Sequence, residues 1–170
     1  MKSIEQISQS NGYYIAGFVD GEGSFNISFK QRQDYTFGVK ISASFNISQK
    51  EIKILEWIKS IFKCGTIRSR NDGLFYYEVT DLSSLNERII PFFDVFGLRT
   101  KKYQAFLVFK KIISLMIDNT HNNPEGILEI YDLREQVIVG RKRKYSREDI
   151  INFIKTSRNL SSETIRQTLN

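Results

Sequence analysis

Along the first 80 residues the spacing of apolar side chains changes repeatedly, and each change marks an element. The apolar, small-residue stretch Ile15–Val19 lies within a predicted helix from about Asn11 to Gly21. From Ser24 the period drops to two. Phe25, Ile27 and Phe29 alternate with Asn26, Ser28, Lys30 and Arg32, and Phe37, Val39, Ile41, Ala43, Phe45 and Ile47 alternate with Lys40, Ser42, Ser44 and Asn46. Two such runs, joined by the polar Gln31–Thr36, read as a long antiparallel hairpin with one face toward water.

The helical period then returns. Ser48-Gln49-Lys50-Glu51 has the form of a capping box with Ser48 as N-cap. It predicts a helix that uses Ile54, Leu55, Ile58, Ile61 and Phe62 and closes at Gly65. Thr66–Arg70 and Phe75–Thr80 predict a second hairpin around Asn71-Asp72-Gly73. Helices follow near Leu82–Phe93, Thr100–Ile117 and Pro124–Val139, and two short ones start at Ser146 and at Ser161 or Ser162. The order is αββαββα with helical extensions: an α+β fold whose antiparallel sheet has one wet face. We divide it into a core, residues 1–140, and a basic helical extension, residues 141–170.

Composition narrows the function. The net charge of +6 favours a polyanionic partner such as nucleic acid or an anionic surface. A single cysteine, Cys64, excludes a disulfide framework and any zinc-finger spacing, and a single histidine, His121, argues against a His-metal nuclease. No run of about 18 apolar residues could span a membrane, and the N-terminus reads as neither signal nor transit peptide. The 23 isoleucines, 14 lysines and 11 asparagines against three alanines fit an A/T-rich genome such as an organelle's.

The wet faces of the two hairpins carry the charge. Ser28, Lys30, Arg32, Lys40, Ser42, Ser44, Asn46, Arg68, Arg70, Tyr76, Glu78 and Thr80 fall on one side, with Asp34 and Tyr35 in the first connecting loop. A generic solvated sheet mixes acids evenly, whereas Glu78 is the one acid here outside that loop. Arg and Lys can bond guanine, Asn adenine, and Glu can accept from cytosine N4, so this surface has the chemistry of a major-groove reader. Arg141, Lys142, Arg143 and Lys144 would add phosphate contacts; the plain alternative is a basic linker.

The most specific signal is Ile15-Ala-Gly-Phe-Val-Asp-Gly-Glu-Gly23, where a helix ends in two acids held between glycines. Acids at a helix C-terminus face the negative end of the macrodipole, and a divalent metal is the expected compensation. The plain alternative is a buried helix followed by a Gly-rich turn. The stretch resembles the motif for which the LAGLIDADG homing endonucleases are named, with Glu22 in place of the second aspartate. The resemblance runs from about Asn11 through the fourth helix, and weakly to Ser161–Arg166.

That resemblance implies a metal-dependent DNA endonuclease that makes staggered double-strand breaks with 3′ overhangs during intron homing. It implies that Glu22 and the Gly21 carbonyl bind Mg²⁺, with Mn²⁺ a substitute and Ca²⁺ supporting binding without cleavage, and that Asp20 has a capping or structural role and is not a ligand. Gln49 falls where the family orients water around the metal, with Lys53 four residues on; Lys101 falls on the family's basic turn, where a cation stabilises the scissile phosphate. The motif occurs once, so a double-strand cut calls for a homodimer whose motif helices meet through Ile15, Ala16, Gly17, Phe18 and Gly21. The partner is then double-stranded DNA with a pseudo-palindromic target of about 20 base pairs, and the expected location is a chloroplast or mitochondrion. The rivals are an intron-splicing maturase, which alone would bring RNA as a partner, a non-cleaving repressor, and a structural adaptor with an incidental basic surface.

Overall fold

The structure, a computed structural model, describes residues 6–137 and 143–168, with side chains through Ser157. Its elements are α1 (Gln9–Glu22), β1 (Gly23–Gln31), β2 (Val39–Gln49), α2 (Ile52–Phe62), β3 (Thr66–Ser69), β4 (Phe75–Val79), α3 (Leu82–Ser84), α4 (Ile90–Phe96), α5 (Lys102–Ile117), α6 (Pro124–Glu135) and α7 (Arg147–Thr168). A five-residue π turn, Leu85–Ile89, joins α3 to α4. The four strands form one sheet in the order β1-β2-β4-β3, so the expected αββαββα order with C-terminal helices is present.

The chain divides into two compact units. The first comprises Met1–Asn26 and Ala43–Ile113, the second Ile27–Ser42 and Ser114–Asn170. In the first, alternation along the strands turns Phe25, Phe45 and Ile47 inward. Phe25 lies 5.3 Å from Phe45, 5.5 Å from Phe93 and 5.3 Å from Phe109, centroid to centroid. Such offset and edge-on aromatic contacts add specific geometry to the burial itself. Tyr77, fully buried on β4, donates its hydroxyl to the Cys64 carbonyl at 3.0 Å, and burial pushes its phenol well above the usual range.

In the second unit, Phe29, Val39 and Ile41 are buried, as are Ile127, Ile130 and Tyr131 of α6 and Ile150 and Ile154 of α7. Arg134, only 7% exposed, lies 4.5 Å from the ring centroids of both Phe29 and Tyr131 and 2.8 Å from Glu135. Gly38, at φ +66°, favours glycine: an L side chain is strained in that region, and a Cβ would also lie 3.0 Å from the Phe153 carbonyl oxygen.

Four expected boundaries move. Ser48 does not cap a helix; it sits within β2 opposite Tyr76, and Glu51 precedes α2 with no side-chain cap. The S-x-x-E spacing is shared by caps and strand ends, and here the strand ladder takes it. α2 closes on Lys63 in the left-handed region (φ 52°), two residues before Gly65. α6 stops at Glu135. At the C-terminus a single helix, α7, replaces the two expected: Ser146 and Asp149 form the capping box, with Asp149 N–H donating to Ser146 Oγ at 3.1 Å and Ser146 N–H to Asp149 Oδ2 at 2.7 Å. The helix continues through Ser161 without a break.

Candidate active site

α1 carries the two acids to its end. Ser8 caps its start, and the Gly23 N–H closes its last turn on the Val19 carbonyl. That last turn contains no basic residue, so Asp20 and Glu22 stand at the negative end of the helix dipole. The compensating charge comes from α5. Lys102 Nζ donates to the carbonyl oxygens of Val19 at 3.0 Å, Asp20 at 2.8 Å and Gly21 at 2.8 Å. This ammonium supplies part of the positive charge that the end of α1 calls for and leaves the Glu22 carboxylate unpaired by it.

The exchange is reciprocal. The Asp20 carboxylate accepts from Arg99 N–H at 2.7 Å, Thr100 N–H at 3.2 Å and Thr100 Oγ1 at 2.7 Å. Lys102 satisfies carbonyls that the end of α1 leaves open, and Asp20 in turn holds the backbone of the turn that precedes α5. Partial burial alone would raise the Asp20 carboxyl, but the donors from Arg99 and Thr100 hold it below its ordinary value. Burial lowers the Lys102 ammonium, while the charges of Asp20 and Glu22 pull it back only in part.

Glu22 is left exposed beyond this clasp. Its carboxylate and the Gly21 carbonyl are hard oxygen donors, the type Mg²⁺ takes while keeping several waters. A carbonyl has two lone pairs, so the bond from Lys102 leaves Gly21 an acceptor site. Among the described residues no three His, Cys, Asp or Glu side chains gather as a metal cluster. The donor set fits an ion that completes its shell from water and phosphate oxygens.

Gln49 ends β2 instead of opening α2, and its Oε1 accepts from Lys50 N–H at 2.7 Å. Gln49 and Lys53 nevertheless line one cleft of about 510 Å³ with Tyr14, Phe18, Glu51, Ile54 and Trp57. Glu22 and Lys101 are not part of that lining. Lys101 is exposed in the turn just before α5. Lys102 was missed because adjacent lysines are equivalent in a sequence; only the fold brings α1 and α5 together.

The helix face expected to meet a partner is narrower than expected. Ile15 is 0% and Ala16 3% exposed, because both pack into their own unit's core. Gly17 and Gly21 are exposed, with nothing within 4 Å of a Cβ at either, and Phe18 and Tyr14 flank them.

On the strands of the first unit, Arg68 is exposed and Ser44, Tyr76 and Glu78 are half-buried, while Arg70 and Thr80, expected within strands, lie exposed just past the ends of β3 and β4. Glu78 lies opposite both Asn46 and Thr66, and Tyr76 opposite Arg68. Asn46 departs from the expectation of an open face. It is only 6% exposed, as befits an inner strand with neighbours on both sides. Burial first, then the Glu78 charge, raises the Tyr76 phenol. In the second unit Ser28, Lys30, Arg32, Asp34 and Tyr35 are exposed, and Lys40 and Ser42 half-buried. Arg32 and Lys40 both stand over the Tyr35 ring, at 5.9 and 5.7 Å. Of the basic run, Arg141 and Lys142 lie outside the described residues. Arg143 is paired with Glu135 at 3.0 Å, so it is not a free phosphate contact, and Lys144 is exposed.

A family model described as LAGLIDADG endonuclease matches residues 15–113. The chain is 38% identical over 128 residues to the probable intron-encoded endonuclease 2 of Neurospora crassa, covering 73% of this chain and 28% of that one. It is 32% identical over 150 residues to the DNA endonuclease I-CvuI of Chlorella vulgaris, covering 84% and 88%. The solved structure of I-SmaMI bound to an uncleaved DNA target in the presence of calcium ions aligns with a TM-score of 0.75 at 30% identity, over 79% of this chain and 47% of that one. The chain thus spans about a quarter of the Neurospora relative and about half of the I-SmaMI chain. No helix among the described residues is long and apolar enough to cross a membrane.

Proposed function

The chain belongs to the LAGLIDADG endonuclease family, and from that premise we propose that it is a site-specific, metal-dependent DNA endonuclease that acts as a homodimer. The observation that carries the proposal is the end of α1, where the exposed Glu22 carboxylate projects beyond a clasp made by Lys102 and Asp20.

Glu22 and the Gly21 carbonyl would hold the ion, which we take to be Mg²⁺, with Mn²⁺ able to replace it and Ca²⁺ supporting binding alone. A bound divalent ion supplies activation of water and stabilisation of charge on the attacking and leaving oxygens. Lys101, exposed before α5, provides a cation for the scissile phosphate. Gln49 and Lys53, on one cleft beside α1, orient water there. Lys102 keeps the end of α1 in the shape that presents Glu22.

Specificity comes from exposed polar residues of the strands and their connections, Lys30 and Arg68 on strands and Arg32 and Arg70 at the hairpin tips foremost, laid in the major groove. Gly17 and Gly21 let a second copy of α1 approach closely, so that two Glu22 residues serve the two strands of a pseudo-palindromic target. The family resemblance supports a staggered cut with 3′ overhangs, and the probable intron-encoded Neurospora relative supports a gene carried in an intron.

The test is direct. A duplex made by joining the exons that flank the gene is incubated with the purified chain, with Mg²⁺ or with EDTA. A staggered cut that needs the ion and disappears in Glu22→Gln, while that variant still binds the duplex in Ca²⁺, is the expected result. Full cleavage by Glu22→Gln would remove Glu22 from the site. Tight binding with no cut under any condition would move the chain to a splicing or repressor role.

A further inference from the structure

Both hairpin tips repeat one device. In the first connection Arg32-Gln-Asp34 places a carboxylate two residues after an arginine, and Arg70-Asn-Asp72 does the same in the second. Arg32 engages Asp34 side-on, Nε to Oδ1 at 2.7 Å and Nη2 to Oδ2 at 2.6 Å. Arg70 Nη2 lies 2.9 Å from Asp72 Oδ2, while Asp72 Oδ1 accepts the Leu74 N–H at 3.2 Å. The backbone beneath each pair is pinned as well, Arg32 N–H to the Gly38 carbonyl at 2.9 Å and Arg70 N–H to the Leu74 carbonyl at 2.8 Å.

Stability does not account for these pairs. Their side chains are roughly half exposed, 49% and 59% for the first pair, 51% and 47% for the second. Exposed pairs in water contribute little to folding. On a surface that meets DNA, an added carboxylate is also a cost, because it repels phosphate.

The physical gain lies in what the carboxylate denies the arginine. A free guanidinium is drawn to any phosphate, which carries no sequence information. One already paired has little net charge to offer a phosphate. Its remaining N–H donors keep a fixed direction and can still match the acceptor pair of guanine O6 and N7. We infer that Asp34 and Asp72 are specificity-determining residues that hold Arg32 and Arg70 for base reading and away from the phosphate backbone. This rests on the DNA-endonuclease reading above, and it assigns to two acids a role the reading itself does not require.

The experiment uses the full chain, a duplex recovered by selection from a random pool, and a scrambled duplex of the same length. Dissociation constants are measured over a salt series for the wild type, Asp34→Asn, Asp72→Asn, Arg70→Ala and the Arg70→Ala/Asp72→Asn double variant. Thermal melting checks that each exposed substitution leaves the fold intact. Each Asn variant should bind the scrambled duplex more tightly, with a log–log salt slope steeper by about 0.9, one added phosphate contact. Preference for the selected duplex should fall about tenfold. With Arg70 already removed, Asp72→Asn should no longer change that preference, since its effect passes through Arg70. Unchanged preference, or an equal gain on both duplexes that persists without Arg70, overturns the inference and marks simple charge repulsion. A wild-type chain that binds neither duplex overturns the endonuclease reading and this inference with it, whereas wild-type binding with unaltered variants overturns this inference alone.

Discussion

Lys102 Nζ lies 2.8 Å from the carbonyl oxygen of Gly21, across 81 positions of sequence. The bond ties the turn before Glu22 to the start of α5, and two more carbonyls of the same turn converge on the same ammonium. One cation therefore neutralises the end of α1 and shapes the backbone from which Glu22 projects.

Lys102→Met should remove three charge-assisted bonds and leave their carbonyls to water. Net contributions of such bonds run at about 1.5–3 kcal/mol when fully buried, and this site is partly open. We expect a loss of about 1–2 kcal/mol in urea melts, with Lys102→Arg recovering part of it. A melt indistinguishable from wild type would mean that solvent serves the α1 carbonyls equally well. Lys101→Met, which removes the exposed neighbour, should leave the melt unchanged while slowing cleavage.

Asp20→Asn tests the other half of the clasp, and its effect depends on pH. The folded-state carboxyl is held below its ordinary value of 3.8. A carboxyl depressed on folding contributes stability that is present above 3.8 and is lost as pH falls through the lower, folded-state value. At pH 7 the Asn variant should be less stable by about 1 kcal/mol, because an amide offers one uncharged oxygen where the carboxylate takes three donors on two. Below 3.8 the gap should close as the wild-type carboxyl protonates. A gap that stays constant from pH 7 to pH 3 would mean that shape and not charge joins Asp20 to Thr100.

Much of this architecture is legible in the order of residues. Alternation from Phe25 to Ile47 placed both strands of the first hairpin to within about two residues, because a one-sided sheet leaves its period in the sequence. The motif from Ile15 to Gly23 placed the acids at a helix end. Other features depend on neighbours that no local pattern records. Ser48 resembled an N-cap because a hydroxyl followed by an acid three residues later suits a cap and a strand end alike. Asn46 fell on the polar face by period, yet its position on an inner strand leaves it 6% exposed. Ile15 and Ala16 are buried while Gly17 is exposed and Phe18 half-buried, a division set by which side of α1 faces its own unit's core. The role of Lys102 lay beyond local reading, since its partners are contributed by a segment some eighty residues earlier.

The glycines of α1 separate folding from association. At Gly12 a Cβ would fall 2.1 Å from the Phe96 ring, whose own freedom is limited by Phe92 at 4.8 Å and Tyr13 at 5.6 Å. Gly12→Ala should therefore destabilise the chain by about 1–3 kcal/mol, the range for overpacking a filled core. A Cβ at Gly17 or Gly21 would meet nothing within 4 Å. Alanine at Gly17 should stabilise the isolated helix by about 0.5–1 kcal/mol, since glycine surrenders more backbone freedom on folding. The same methyl would stand between two copies of α1 at close approach. Gly17→Ala should thus raise the melting temperature of the dilute chain and weaken self-association in sedimentation, with cleavage falling in step. Unchanged association would move the dimer contact to another face of the molecule, and the open flank of α1 with it.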